Sequence, residues 1–148
     1  LLEASPSSHL VNISSIFGMV GIATQSAYNS AKFAVRGFTE SLQAEYRGTS
    51  LTVTCVHPGG IATNIALRAR TDGDALEASA EERDESFKQV ARTSPTKAAQ
   101  VIIKGTLAGR RRVFVGWDAW FMHTVTKFMP TSYHTFTNRF GSKNDDIG

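Results

Sequence analysis

The stretch LTVTCVHPGG, residues 51–60, decides the fold of this 148-residue chain. Its first six residues are rich in Val and Thr, which is typical of a β-strand, and the Pro-Gly-Gly that follows ends the strand. A second short apolar run lies at residues 10–14, and RVFV forms a third at residues 112–115. The sequence therefore predicts three short strands.

Helical patterns separate these strands. Apolar residues recur at helical spacing from residue 27 to about residue 46. A second helix is expected to begin at Ser94-Pro95 and to end before Gly109, and a third covers residues 118–129. Because strands alternate with helices, we predict an α/β fold with a parallel sheet and right-handed crossovers.

Two segments are expected to lie apart from the packed core. Residues 64–92 are polar and charged, and we interpret them as a variable lid over a substrate pocket. Residues 141–148 are expected to form a disordered tail. We assign residues 1–140 to a single domain, and because the chain opens on LLEAS, similar to the end of a helix, we expect it to be the C-terminal part of that domain.

Composition excludes several classes of function. Hydrophobic residues make up 41% of the chain and the net charge is +3, as in an ordinary globular protein. The basic residues are scattered, so we expect no nucleic-acid partner. The single cysteine, Cys55, favours a reducing compartment, and the four histidines lack metal-ligand spacing, so no metal is expected. No apolar stretch reaches the length of a membrane span and no signal peptide is recognisable, so we expect a cytoplasmic protein without membrane association.

Tyr28 and Lys32 are the first candidates for chemistry. They lie four residues apart on a predicted helix, so that their side chains share one face. A free phenol titrates near about pH 10, and a neighbouring ammonium group favours the phenolate. Such a pair can act as a general acid and base near neutral pH. The spacing alone is also compatible with a surface tyrosine and lysine on an amphipathic helix.

Ser15 and the segment PGGIAT follow the ends of two predicted strands. In open parallel sheets, ligands bind outside the carboxyl ends of the strands. We therefore expect Ser15, Tyr28, Lys32 and residues 58–63 to meet at one edge of the sheet. The neighbouring Ser14 is expected to make a hydrogen bond at the end of its strand.

Three segments together resemble the short-chain dehydrogenase/reductase family in residue type, order and spacing: VNISSIFG at 11–18, YNSAK at 28–32 and VHPGGIAT at 56–63. The resemblance implies a Rossmann-like doubly wound parallel sheet, present here as its C-terminal half of about three strands. It also implies an NAD(P)-dependent oxidoreductase that interconverts an alcohol and a carbonyl by hydride transfer. By the same resemblance, Tyr28 exchanges the proton with the substrate oxygen, Ser15 hydrogen-bonds that oxygen, and Lys32 promotes ionisation of Tyr28 and binds the nicotinamide ribose.

Contacts with NAD or NADP follow from the resemblance as well. The backbone of Ile61 would meet the nicotinamide carboxamide, and the Thr63 hydroxyl would contact the carboxamide or a phosphate. The cofactor-binding residues implied in this way are Tyr28, Lys32, Pro58, Gly59, Ile61 and Thr63. The family's glycine-rich phosphate loop and its fourth catalytic residue, an Asn, have no counterpart in this sequence, so the chain alone is expected to be inactive.

Two other functions share part of this pattern. A non-catalytic family member could bind a dinucleotide or act as a scaffold, but such a protein commonly lacks the Tyr or Lys that is retained here. An epimerase or dehydratase could use the same pair, but the segments NISS and PGGIAT are less typical of those enzymes.

We expect small alcohol, ketone or aldehyde substrates and a homodimer or homotetramer. In such an assembly the helix over 27–46 would contact its copy near Gly37. Its sheet-facing side is predicted to comprise Ala31, Ala34, Val35, Phe38 and Leu42.

Overall fold

The computed structural model describes residues 1–23, 25–63 and 91–135. Three parallel strands form one sheet in the order β1-β2-β3, with β1 at Ser8–Ile13, β2 at Leu51–Pro58 and β3 at Arg112–Val115. In the register, Leu10 of β1 pairs with Val53, and Val56 pairs with Val113 of β3. The predicted α/β fold with a parallel sheet is confirmed.

Helices connect the strands in the predicted order. A short 3-10 helix, Ile16–Gly18, follows β1, and the helices α1, α2 and α3 span Ser26–Glu45, Pro95–Leu107 and Trp117–Phe128. The predicted lid lies almost wholly outside the described residues, and the predicted tail at 141–148 lies entirely outside them. Over the described ranges, no helix combines the length and the apolar character that crossing a membrane would require.

The core lies where β2 and β3 pack against α2. Val56, Val113 and Val115 are almost fully buried, and Ala98 of α2 packs among them. Cys55 of β2 is completely buried, and this burial raises the pKa of its thiol. The thiol is therefore held in its unreactive protonated form.

Helix α1 meets the sheet with a polar face. Asn29 and Thr39 are its buried residues. The Thr39 hydroxyl accepts a hydrogen bond from Asn12 Nδ2 of β1 at 3.1 Å. The Gln43 side chain donates to the carbonyl of Val53 at 3.1 Å and to that of Arg111 at 2.7 Å. Directional hydrogen bonds therefore hold this helix to the sheet.

The sheet-facing side predicted for α1 was wrong. Ala31 and Ala34 are exposed, and Phe38 retains 61% of its accessible surface. Val35 and Leu42 are half-buried. The apolar periodicity of this helix marks largely its outer face, because side-chain hydrogen bonds to strands and loops occupy the inner one.

Candidate active site

Ser15 lies two residues after Ile13, the last residue of β1, in the loop that leads to α1. Its hydroxyl oxygen accepts a hydrogen bond from the Phe17 amide at 3.1 Å and so caps the 3-10 helix. The hydroxyl proton is not used in that bond, and it remains able to donate. The capped turn thus fixes Ser15 in position and leaves its hydroxyl proton able to donate to a ligand.

His57, near the end of β2, holds the backbone of Ser15. Its Nδ1 lies 3.1 Å from the Ser15 carbonyl oxygen. Because a carbonyl can only accept, Nδ1 carries the proton in this contact. Burial lowers the pKa of His57, and the bond to Ser15 offsets this only in part, so the ring is neutral near pH 7. Sequence reasoning considered the histidines only as metal ligands and missed this contact.

Ser14 ties the end of β1 to α1. Its hydroxyl donates to the Lys32 carbonyl at 2.8 Å, which agrees with the strand-end hydrogen bond expected of it. Next to this contact, a Cβ on Gly18 would come within 2.7 Å of the same carbonyl oxygen. Glycine is therefore needed for the loop after β1 to approach the backbone of α1 this closely.

Tyr28 and Lys32 lie together at the beginning of α1. The Lys32 ammonium nitrogen is 5.6 Å from the centroid of the Tyr28 ring and donates to the Ile13 carbonyl at 3.2 Å. Phe17 meets the Tyr28 ring edge-on, with centroids 6.1 Å apart. Because Ile13 and Phe17 each lie two residues from Ser15, these contacts bring Ser15, Tyr28 and Lys32 to the same edge of the sheet.

Asn29 is a positioning residue that the sequence analysis missed. Its Nδ2 donates to the carbonyls of Phe17 at 2.8 Å and Val20 at 2.7 Å, and its Oδ1 accepts from the Ile22 amide at 3.2 Å. The side chain thus clamps the loop that follows Ser15 onto the first turn of α1. A signal was present, since polar residues recur at helical spacing at positions 29, 36, 39 and 43.

The segment 58–63 leaves β2 at this edge, and its backbone is fixed from several sides. The Gly59 amide donates to the Val115 carbonyl at 2.9 Å, and Ile61 forms an isolated parallel bridge with Thr93. Ile61 is partly buried, whereas Thr63 is exposed. The segment therefore offers a fixed backbone and an accessible hydroxyl.

Asp118, in the first turn of α3, is a second residue that the sequence analysis missed. Its Oδ2 accepts a hydrogen bond from the Gly60 amide at 2.7 Å. A Cβ added to Gly59 would collide with the same carboxylate, so the glycine is required by close packing. No local pattern indicates this contact, because 58 residues separate the two partners.

Comparisons with known proteins identify the family and the fold of this chain. Residues 1–74 match the family model described as short chain dehydrogenase. SadH of Mycobacterium tuberculosis, which is named as an oxidoreductase, is 45% identical over 133 residues, covering 88% of this chain and 47% of SadH. The chain thus spans about half the length of this relative.

Two solved structures share the fold. One is a short-chain dehydrogenase/reductase from Burkholderia phymatum in complex with NAD. The superposition covers 100% of this chain and 54% of the Burkholderia chain, with a TM-score of 0.66 and 19% sequence identity. The other is a short-chain dehydrogenase from Burkholderia cenocepacia in complex with NADP. The superposition covers 88% of this chain and 47% of that protein, with a TM-score of 0.67 and 17% sequence identity. These likenesses confirm the predicted Rossmann-like fold, and the sequence match identifies this chain as a member of the short-chain dehydrogenase family of oxidoreductases.

Proposed function

We propose that the complete protein containing this chain interconverts an alcohol and a carbonyl with NAD or NADP, and that Tyr28 exchanges the proton with the substrate oxygen. One observation carries the proposal: the Lys32 ammonium lies 5.6 Å from the Tyr28 ring centroid, at the edge of the sheet where Ser15 follows β1. The Tyr28 side chain is 39% exposed in the described chain, so that a substrate can reach it.

The three side chains have complementary roles. The Tyr28 phenol can take or give a proton as the reaction direction requires, and the Lys32 ammonium lies beside its ring. The Ser15 hydroxyl accepts from the Phe17 amide, so its own proton is available for the substrate oxygen. The bound nicotinamide supplies or takes up the hydride.

The nicotinamide end of the cofactor fits the described residues. We assign its contacts to Tyr28 and Lys32 and to the segment after β2, with Pro58, Gly59, Ile61 and Thr63. Bonds to Val115, Thr93 and Asp118 fix the backbone of that segment. A backbone held in this way can meet a flat carboxamide without being ordered on binding, which lowers the cost of association. The NAD and NADP complexes of the two Burkholderia proteins support a dinucleotide cofactor.

The decisive test is Tyr28→Phe in the complete protein. Phe keeps the ring and its contact with Phe17 but has no exchangeable proton, so we expect turnover to fall about 10²- to 10⁴-fold. The unfolding midpoint should remain close to that of the parent, and cofactor affinity should fall far less than turnover, because the other assigned cofactor contacts remain. Tyr46→Phe, at the other end of α1, is the matched control and should keep full activity. Turnover of Tyr28→Phe within a few-fold of the parent would exclude Tyr28 as the acid and base.

The two serines test the register of the site. Ser15→Ala should remove most of the activity, because the substrate oxygen loses a donor. Ser14→Ala should reduce activity only mildly, since Ser14 contacts the backbone of Lys32 rather than the substrate. The reverse order would assign the substrate contact to Ser14. A parent that binds cofactor but turns over no alcohol, ketone or aldehyde would favour the non-catalytic alternative.

A homodimer or homotetramer is also proposed, with the outer face of α1 as the contact. Phe33 and Phe38 are 40% and 61% exposed on this face. A side chain at Gly37 would meet no described atom within 4 Å. An apolar helix face of this kind is commonly covered by another surface.

A further inference from the structure

A cavity of about 500 Å³ lies between α1, β3 and α3. Its walls include Arg36 of α1, Arg112 of β3 and Lys127 of α3, so that each of three elements contributes a cation. Arg36 lies eight residues beyond Tyr28 on α1, which places it about 12 Å further along the helix axis. The cavity is thus distinct from the edge where Tyr28 and Lys32 meet.

Positive charge exceeds negative charge around this cavity. Arg36 and Arg112 both contact Glu40 Oε1, at 2.8 Å and 2.6 Å. Among the residues described, Glu40 is the one acid recorded against either arginine. Over the described ranges, three cations and one carboxylate leave an excess of two positive charges. The contacts with Glu40 orient both guanidinium groups, whose remaining N–H donors can serve an anion.

His123 of α3 experiences the field of these cations. Burial and then the charges of Arg112, Lys127 and Arg36 lower its pKa, so the imidazole is neutral at pH 7. Its ring stacks on Phe114 with centroids 4.4 Å apart, which fixes it in the cavity wall. An anion in the cavity would oppose these cations and favour protonation of His123.

A hydroxyl group completes the lining. The Tyr133 oxygen accepts a hydrogen bond from the Gly21 amide at 3.2 Å, and within the described parts of the chain its own proton has no recorded acceptor. Guanidinium, ammonium and phenol donors therefore surround the space from several sides. A tetrahedral oxyanion presents its acceptor oxygens in several directions, whereas a carboxylate presents both oxygens in one plane, so donors on several sides suit the tetrahedral group better.

We propose that this cavity binds the phosphate-type oxyanion of a phosphorylated or sulfated small molecule, at a site separate from the nicotinamide. The proposal does not depend on the reaction assigned above. Its test is therefore binding rather than turnover.

Sulfate is the probe, because its charge is constant across the range in which histidine titrates. In the complete protein, the ring protons of His123 are followed by NMR as sulfate is added, with chloride at matched ionic strength as the reference. We expect a saturable shift and a raised pKa of His123. His9 is exposed on β1 and serves as the internal control, which should not respond.

Two lysine variants sharpen the test. Lys127→Met removes an exposed cation of the cavity and should weaken sulfate binding roughly fivefold. Lys104→Met removes an exposed cation of α2 that does not line the cavity, and sulfate affinity should stay at the parent value. Since both lysines are exposed, neither change should alter folding.

Competition distinguishes the class of ligand. Methyl phosphate should displace sulfate at a similar concentration, whereas acetate should not. A non-saturable response, an equal response of His9, or unchanged affinity in Lys127→Met would overturn the site. Displacement by acetate as effective as that by methyl phosphate would overturn the assignment to phosphate-type oxyanions.

Discussion

The two faces of α1 are built from opposite chemistry. The face toward the sheet and the loop after β1 carries Asn29, Thr39 and Gln43. Each of these side chains is hydrogen-bonded to a group distant in sequence. The outer face carries Ala31, Ala34, Phe33, Gly37 and Phe38, all exposed in the described chain. The comparison teaches that polar side chains can set the position of a helix. Its apolar residues are then left for another surface.

Among the substitutions on the inner face of α1, Asn29→Leu should destabilise the fold most. Leucine has a similar size but leaves the carbonyls of Phe17 and Val20 and the Ile22 amide without their partner. We expect the free energy of unfolding to fall by about 3 kcal/mol. Chemical denaturation measures it, with the exposed Ser30→Ala as the control, expected within about 0.5 kcal/mol of the parent. A loss in Asn29→Leu no larger than in this control would mean that the clamp contributes nothing.

Thr39→Val tests the same face with a smaller change. Valine matches the shape of threonine but cannot accept from Asn12 Nδ2, whose donor then lies part-buried and unpaired. The unfolding free energy should fall by about 1–2 kcal/mol. Ser41→Ala, at an exposed position of the helix, provides the comparison. Equal values for the two variants would remove the distinction between the faces.

Substitutions at Gly37 test the outer face of α1. Gly37→Ala should raise the unfolding free energy by about 1 kcal/mol, because glycine is a poor helix former and the added methyl group meets open space. Gly37→Gln should fold equally well but shift the proposed oligomer toward the monomer in light scattering. A monomeric parent, or an oligomer that tolerates glutamine, would contradict the assembly through this face.

Glu40→Gln has the smallest expected effect. Burial tends to raise the pKa of Glu40, but the hydrogen bonds and charges of Arg36 and Arg112 prevail and lower it. A carboxyl with a lowered pKa stabilises the fold above its unfolded pKa, near about 4.3, and loses this contribution as pH falls through the folded value. The parent should exceed Glu40→Gln by less than about 1 kcal/mol at pH 7, because solvent screens the pair. Urea denaturation from pH 7 to 3 should show the difference disappear in acid; a difference independent of pH would rule out the ion pairs as its source.

Much of the architecture was predictable from local sequence. Short apolar runs located all three strands, and segments with apolar residues at helical spacing located the helices between them, because burial imposes periodicity over a few residues. Strand ends differed by about two residues, since β1 begins at Ser8 rather than Leu10 and β2 continues to Pro58 rather than ending at Val56. Ser15, Tyr28 and Lys32 were proposed from a strand end and one helical turn together with the resemblance to the family, and their roles stay a prediction.

Contacts between distant segments were not predictable in this way. The predicted orientation of α1 was wrong because counting apolar residues assigns the more hydrophobic side of a helix to the sheet. Here Gln43 reaches the Arg111 carbonyl, 68 residues away, and this bond leaves no trace in composition. His57 and Asp118 were missed for the same reason, because each bonds to the backbone of another loop. Asn29 was missed although the helical spacing of polar residues on α1 was a signal for it.

The contact between Asp118 and the segment after β2 also restricts how this sequence can change over generations. Any larger residue at position 59 collides with the Asp118 carboxylate, and losing that carboxylate leaves the Gly60 amide without its acceptor. Residue choices at positions 59 and 118 are therefore coupled, because a Cβ at position 59 would require the carboxylate to move away from the Gly60 amide. A library that randomises position 59 alone should recover glycine, whereas one that randomises both positions should recover new pairs.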